Sequence, residues 1–341
     1  MDAAMSDLDL VTGGTGFVGA HVVRALLARG RCVRCLARTG SSLANVEGLP
    51  VEIVRGDLRE PASLARGAAG VDTLYHCAAD YRLYARDPRE LYAANVDGTE
   101  NVLRAAVDAG VRRIVHTSSV ATLSPRGGEP ADETRPASPD SVIGHYKRSK
   151  VLAERVALRW AAEGAPVVVV NPSTPVGELD VKPTPTGRIV VDFLRRRMPA
   201  YVDTGLNLVD VRDVAEGHLR AAEKGRPGER YILGNRNMTL KEIFDVLAAI
   251  TGLPSPRVRL PHWVPIAAAA VDTGIARLLN REPRVPLESA RMARHRMYFD
   301  SSKAVRELGF PQSPVEDALA RAVAWFRDHG YSAPARPRAA A

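Results

Sequence analysis

Short apolar runs of strand length alternate with longer stretches whose apolar residues recur at helical spacing, beginning with a strand at 8–11 and a helix at 17–28. Further strand-like runs lie at 33–37, 51–54, 73–77, 114–118 and 167–170, with helical stretches at 91–109 and 146–162. Strands that alternate with helices are buried on both faces of a parallel sheet, so the pattern predicts an α/β, doubly wound Rossmann fold. Beyond Asn171 the pattern changes. Pro172, Pro175, Pro183 and Pro185 punctuate a loop, and later helices are joined by turns such as Leu253-Pro254-Ser255-Pro256. A smaller, mainly helical C-terminal substrate lobe is expected there. The expected division is 6–171 and 206–235 for the nucleotide-binding domain, 172–205 and 236–331 for the lobe, and a disordered tail at 332–341.

The most apolar stretch, 263–279, is interrupted by Asp272 and Arg277 and is too short for a bilayer span, so it reads as a buried or amphipathic helix. With 45% hydrophobic and 25% charged residues among 341, the chain has the balance of a soluble globular protein. Its formal charge is +8, but no tract of five or more Lys and Arg occurs, and no nucleic-acid partner is expected. The densest basic clusters, Arg195-Arg196-Arg197 and the run from Arg291 to Arg296, read first as solvated basic helix ends and otherwise as contacts for an anionic substrate. Three cysteines, Cys32, Cys35 and Cys77, are too few for a disulfide framework and suit a reducing cytoplasm. Cys32 and Cys35 fall on opposite faces of one expected strand, so no shared metal is expected. The short acidic start has no signal-peptide pattern, and a cytoplasmic location is the expectation, with a homodimer left open.

The run Thr12-Gly13-Gly14-Thr15-Gly16-Phe17-Val18-Gly19 stands where the first strand passes into the first helix. Glycines at steps of three permit a tight turn and close backbone approach, so a pyrophosphate can rest on the helix N-terminus; the bland alternative is a flexible turn. Gly13, Thr15, Gly16, Phe17, Val18 and Gly19 are the expected contacts. The second strand ends in Leu36-Ala37-Arg38, without an acid to bond a ribose 2′-hydroxyl. Arg38 therefore argues for NADP(H), with NAD(H) still possible and a plain surface arginine as the alternative. At the end of the third strand Asp57 is placed to bond the adenine amino group and Leu58 to cover its face. After the fourth strand the small residues Cys77, Ala78 and Ala79 would admit a ribose, while His76 reads as a core histidine.

A fifth strand ends in Thr117-Ser118-Ser119, and one helix later comes Tyr146-Lys147-Arg148-Ser149-Lys150. Positions four apart share a helix face, so the Lys150 ammonium is expected beside the Tyr146 phenol, favouring its ionised form. Tyrosine then serves as acid or base near neutral pH, and Ser119 is placed to hold the reacting oxygen. That spacing alone also describes a solvated helix face. The order of glycine loop, strand-end serine and tyrosine helix is what points to hydride transfer with a nicotinamide dinucleotide.

These motifs, together with Asn95-Val96-Asp97-Gly98-Thr99 and Asp210-Val211-Arg212-Asp213-Val214, make nearly the whole chain resemble the extended short-chain dehydrogenase/reductase superfamily, which includes sugar-nucleotide epimerases and dihydroflavonol reductases. Ala78-Ala79-Asp80-Tyr81-Arg82-Leu83-Tyr84 and Asn171-Pro172-Ser173-Thr174-Pro175-Val176-Gly177 look more narrowly like bacterial hopanoid-associated sugar epimerases. The resemblance implies Ser119, Tyr146 and Lys150 as catalytic residues, Asn95 as a brace near the cofactor, and Thr117, Pro172 and Ser173 beside it, with Lys150 also holding the nicotinamide ribose. Two departures matter. Sugar-nucleotide epimerases usually carry S-S-x-x-V-Y-G after the fifth strand, whereas Ser119 here leads into Val120-Ala121-Thr122-Leu123-Ser124-Pro125, closer to the reductase branch. Sugar dehydratases need an acid just after the strand-end serine or threonine, and Val120 and Ala121 stand there instead. The leading expectation is an epimerase acting on a sugar or sugar nucleotide in hopanoid biosynthesis. An NADP-dependent ketone reductase of dihydroflavonol-reductase type and a non-catalytic cofactor-sensing scaffold are the alternatives.

Overall fold

The apolar runs become strands buried on both faces, most completely at Val167, Val168, Val169 and Val170. In the computed structural model, which describes residues 7–82, 87–125, 129–278 and 287–332, the chain opens with β1 (Leu8–Thr12), α1 (Phe17–Ala28), β2 (Cys32–Ala37), β3 (Val51–Arg55), α2 (Pro61–Ala68) and β4 (Thr73–His76). Then α3 (Pro88–Tyr92) runs through a π turn at Ala93–Asp97 into α4 (Gly98–Asp108), so the stretch expected as one helix carries a bulge. β5 (Arg113–Thr117), α5 (His145–Ala162), β6 (Val167–Pro172), β7 (Thr174–Val176), α6 (Pro185–Leu194), β8 (Ala200–Val202), β9 (Gly205–Asp210), α7 (Val211–Lys224) and β10 (Arg230–Leu233) follow. The chain continues through β11 (Arg236–Thr239), α8 (Leu240–Thr251), β12 (Val258–Leu260), α9 (Trp263–Leu278), α10 (Leu287–Met292), α11 (Ser302–Leu308) and α12 (Val315–Asp328).

Seven parallel strands form one sheet in the order β10-β6-β5-β4-β1-β2-β3. Alternate residues feed two layers: Val11, Val115 and Val168 pack with α1 and α7, while Leu10, Ile114 and Val167 pack with α2, α4 and α5. Full burial of such a side chain stabilises the fold by roughly 1.5–3 kcal/mol. The strand order reverses between β1 and β4, which opens a crevice at their carboxyl ends where ligands of such sheets bind. A second core gathers Phe193 of α6, Phe244 of α8 and Phe326 of α12 in the helical C-terminal region, beside a three-stranded sheet β11-β9-β7.

Of the two readings of the apolar stretch, a buried or an amphipathic helix, the first is excluded here. The apolar stretch forms α9, but Trp263, Val271 and Ile275 face solvent while Ala269 and Ala276 face inward, so it is not a buried helix. Small alanines supply the inward packing and leave the larger apolar groups outside. Cys32 is exposed and Cys35 buried, on opposite faces of β2. No helix among the described residues is long and apolar enough to cross a membrane. Leu83, Tyr84, Leu279 and residues 333–341 of the expected tail lie outside the described residues.

Candidate active site

At the crevice, Gly13 has φ +72°, and a Cβ there would lie 2.7 Å from the Ala78 backbone nitrogen. Gly13 is thus needed twice, for its left-handed backbone and for the contact between the β1 and β4 loops. Gly16 donates to the Gly13 carbonyl at 2.9 Å and starts α1 without a side-chain cap, while a Cβ on Gly19 would overlap that same carbonyl. Phe17 and Val18 begin the helix, and the Thr15 carbonyl accepts from Asn45 Nδ2 at 3.2 Å. First-turn N–H groups left open at a glycine cradle fit a dinucleotide pyrophosphate.

Arg38 follows the tip of β2 in an exposed position, and Arg55 from β3 donates to its carbonyl at 3.1 Å. Asp57 stands at the end of β3 with a near neighbour on its carboxylate. Arg59 grips its carboxylate through Nε and Nη2, both at 2.9 Å, and this hydrogen bonding holds the Asp57 carboxyl down to about 2. Leu58 packs on one side against Gly98 of α4, where a Cβ would lie 2.9 Å from it. Both side chains are engaged by near neighbours, which strand-end position alone does not reveal.

His76 is a core histidine: its ring bonds Thr12 Oγ1 at 2.7 Å and Thr99 Oγ1 at 3.2 Å, and burial, then Lys150, push it down to about 3. Thr12 Oγ1 also accepts from the Ala78 nitrogen at 3.3 Å. Cys77 Sγ lies 3.4 Å from Thr117 Oγ1 across the strand ends, and Ala79 follows on the same loop. Asn95, in the π turn, donates through Nδ2 to the Asp80 carbonyl and to Ser149 Oγ, both at 2.9 Å, and accepts from the Asp80 nitrogen at 2.7 Å. It ties the loop after β4 to α5.

Ser119 caps a single 3₁₀ turn, its Oγ accepting from Ala121 N at 3.1 Å. Gly144, at φ +91°, starts α5 and brings Tyr146 to the same place half-buried. Burial pushes the phenol up to about 12, and interaction with the Ser119 hydroxyl pulls it partly back. Lys150 is only 3% exposed; burial draws it down to about 8 against the opposing pull of Glu154 and Cys77. Its Nζ donates to the Thr117 carbonyl at 2.9 Å. Without a ligand the Lys150 ammonium is engaged at the strand ends, and burial, not the lysine, dominates the shift of the Tyr146 phenol. Pro172, at the end of β6, is buried, and the shielded Ser173 hydroxyl has no hydrogen-bond partner among the described residues. An unpartnered hydroxyl at a strand end in the crevice is a further feature that fits a bound nucleotide.

Sequence reasoning missed Glu154, Asn171 and Thr122. Glu154, 4% exposed, lies four residues beyond Lys150 on the stripe of α5 that carries Tyr146, and its Oε2 accepts from Thr122 and Asn171. Extending the four-residue ladder by one step would have found it.

Residues 10–234 match the NAD dependent epimerase/dehydratase family. The chain is similar to the "Putative dihydroflavonol 4-reductase" of Synechocystis, 50% identical over 96% of this chain and 97% of that protein. It is also similar to the sterol demethylase protein B of Methylococcus capsulatus, 39% identical over 94% of this chain and 98% of the other. A solved nucleoside-diphosphate-sugar epimerase from Pseudomonas aeruginosa is 28% identical and superposes with a TM-score of 0.79, covering 95% of this chain and 98% of its own. With a nucleotide cradle at the sheet's switch point and a family match spanning most of the chain, this protein belongs to the NAD dependent epimerase/dehydratase family and is an NAD(P)-dependent enzyme.

Proposed function

We propose that the chain is a net reductase of a ketone, with NADP(H) as its cofactor. The observation that carries this reading is the Tyr146 phenol set against the Ser119 hydroxyl, two donors for the oxygen of a carbonyl undergoing reduction. Ser119 and Tyr146 hold that oxygen by hydrogen bonds and orient the carbonyl carbon. Tyr146 gives its proton to the oxygen as negative charge develops there. The Lys150 ammonium lowers the cost of the phenolate left behind and would bond the ribose of a bound cofactor. Bound in this crevice, a reduced nicotinamide would supply the hydride. Gly13, Thr15, Gly16, Phe17, Val18 and Gly19 would hold the pyrophosphate side, Cys77, Ala78, Ala79, Asn95 and Thr117 the ribose side, and Pro172 and Ser173 the nicotinamide. Arg38 and Arg55, gathered at a strand tip without an acid on β2, support a 2′-phosphate partner. The division into a cofactor domain (6–171 and 206–235) and a substrate lobe (172–205 and 236–331) is part of this reading. A reductase name on a relative 50% identical agrees with it.

A second reading, epimerisation of a sugar or sugar nucleotide in hopanoid biosynthesis, is favoured by the likeness to the sugar-epimerase structure. The two readings differ in cofactor balance. Purified protein is incubated with NADPH and a panel of ketones, and separately with oxidised cofactor and nucleotide sugars. Stoichiometric loss of NADPH with alcohol formation supports the reductase; product from a sugar with no net change in cofactor overturns it in favour of the epimerase.

A further inference from the structure

The solvent side of α9 carries no charged residue among those described. Trp263, Ala267, Ala270, Val271, Gly274 and Ile275 recur at helical spacing and are all exposed, Trp263 to 69% and Val271 to 63%. A water-facing helix normally reverses this arrangement, with the apolar stripe turned inward. The surrounding chain is unusual in charge as well. Residues 257–296 contain eight arginines, no lysine and three acidic residues, so this segment holds most of the chain's net positive charge of +8. Arg257 leads into β12, just ahead of α9, and Arg294 follows α10, which packs on α9. Both are exposed and make no ion pair among the described residues. Arg259 and Arg296 are anchored on Asp203 at 2.8 and 2.9 Å, which fixes two more guanidinium groups on the same region.

An apolar stripe within an arginine-rich segment matches the boundary layer of an anionic bilayer: guanidinium groups meet lipid phosphates, the indole sits at headgroup level, and the aliphatic side chains enter the acyl edge. A second copy of the chain fits poorly, since a self-complementary pairing of two such faces would set arginine against arginine. We propose that the outer face of α9 docks this protein on the surface of an anionic lipid bilayer. α10, which packs on α9, also reaches the candidate site, since the Glu288 carboxylate lies against Gly144 at the start of α5. This inference does not depend on which carbonyl is reduced.

Flotation with vesicles made of equal parts phosphatidylglycerol and phosphatidylcholine, and with phosphatidylcholine alone, tests the proposal on the full chain. Wild type should float with the anionic vesicles and much less with the neutral ones. The triple variant Trp263→Ser, Val271→Ser, Ile275→Ser should partition at least about tenfold more weakly, given the apolar area removed. The pair Arg257→Glu and Arg294→Glu should lose the preference for anionic lipid. NADPH titration and thermal melts should match wild type in both variants, showing that the fold is intact. Wild type that stays in solution with anionic vesicles overturns the proposal. So does a dimer by light scattering that the triple variant dissociates, which would assign the face to a second copy.

Discussion

Glu154 Oε2 accepts a 2.6 Å hydrogen bond from Asn171 Nδ2, and the same oxygen takes the Thr122 hydroxyl at 2.8 Å. Both donors also reach the Ser119 carbonyl, Asn171 Nδ2 at 3.1 Å and Thr122 Oγ1 at 2.8 Å. One buried carboxylate thus joins α5, the end of β6 and the loop that presents Ser119.

Glu154→Gln should act on Lys150 and on this junction together. The negative charge of Glu154 supports the Lys150 ammonium, so its removal should move the lysine further below about 8. For ketone reduction the alkaline limb of kcat/KM should then shift to lower pH, and stability should fall by about 1–3 kcal/mol as the amide mispairs with two buried donors. Superimposable pH profiles with only a stability loss would reduce Glu154 to a structural brace.

How much of this site the sequence disclosed follows from the range of the forces involved. The sheet was legible because strands such as β6 are buried on both faces and must be apolar throughout. The glycine loop was legible because only glycine tolerates both the φ of Gly13 and the approach of Ala78. Side-chain direction was not. Lys150 shares a stripe with Tyr146, yet its ammonium goes to a carbonyl on β5, a partner that helical spacing does not contain. Asp57 is taken by Arg59 only two residues on, a local competition that the strand-end reading passed over. The three-residue strands β8 and β12 lie in proline-rich connections with too few residues to show a period.

Lys150→Met should stabilise the cofactor-free protein at pH 7. Burial lowers the folded pKa of Lys150 to about 8, so the folded state resists a proton that the unfolded chain holds up to its ordinary value of 10.5. The penalty is full below pH 8 and disappears as pH rises through the unfolded value. Relief of that penalty, less the lost bond to the Thr117 carbonyl, should give a gain on the order of 1–3 kcal/mol. Denaturant melts at pH 7 and at pH 10 should show the gain at the lower pH and its shrinkage at the higher. A variant less stable than wild type at pH 7 would mean that the ammonium is better solvated than its burial implies.

Arg38→Asp should turn cofactor preference from NADP(H) toward NAD(H). The substitution removes a guanidinium from the tip of β2 and places a carboxylate where a 2′-phosphate would be repelled and a ribose 2′-hydroxyl accepted. Fluorescence titrations with both reduced cofactors should show at least about a tenfold change in their affinity ratio, the effect of a 1.4 kcal/mol difference. Tighter binding of NADH than NADPH by wild type would remove Arg38 from cofactor selection.

Tyr146→Phe should lower kcat for ketone reduction by about 10²-fold or more, as for loss of a general acid, while leaving NADPH affinity close to wild type. The phenol, raised to about 12, is protonated across the working pH range and does not itself set an alkaline limb. That limb belongs to Lys150, whose pKa of about 8 lies inside the range. Wild-type kcat/KM should therefore fall above pH 8, and the residual activity of Tyr146→Phe should retain the same limb at a lower level. A limb that vanished with the phenol would reverse the two assignments and make Tyr146 the group that titrates. More than about a tenth of the wild-type rate in the phenylalanine variant would place the proton donor elsewhere.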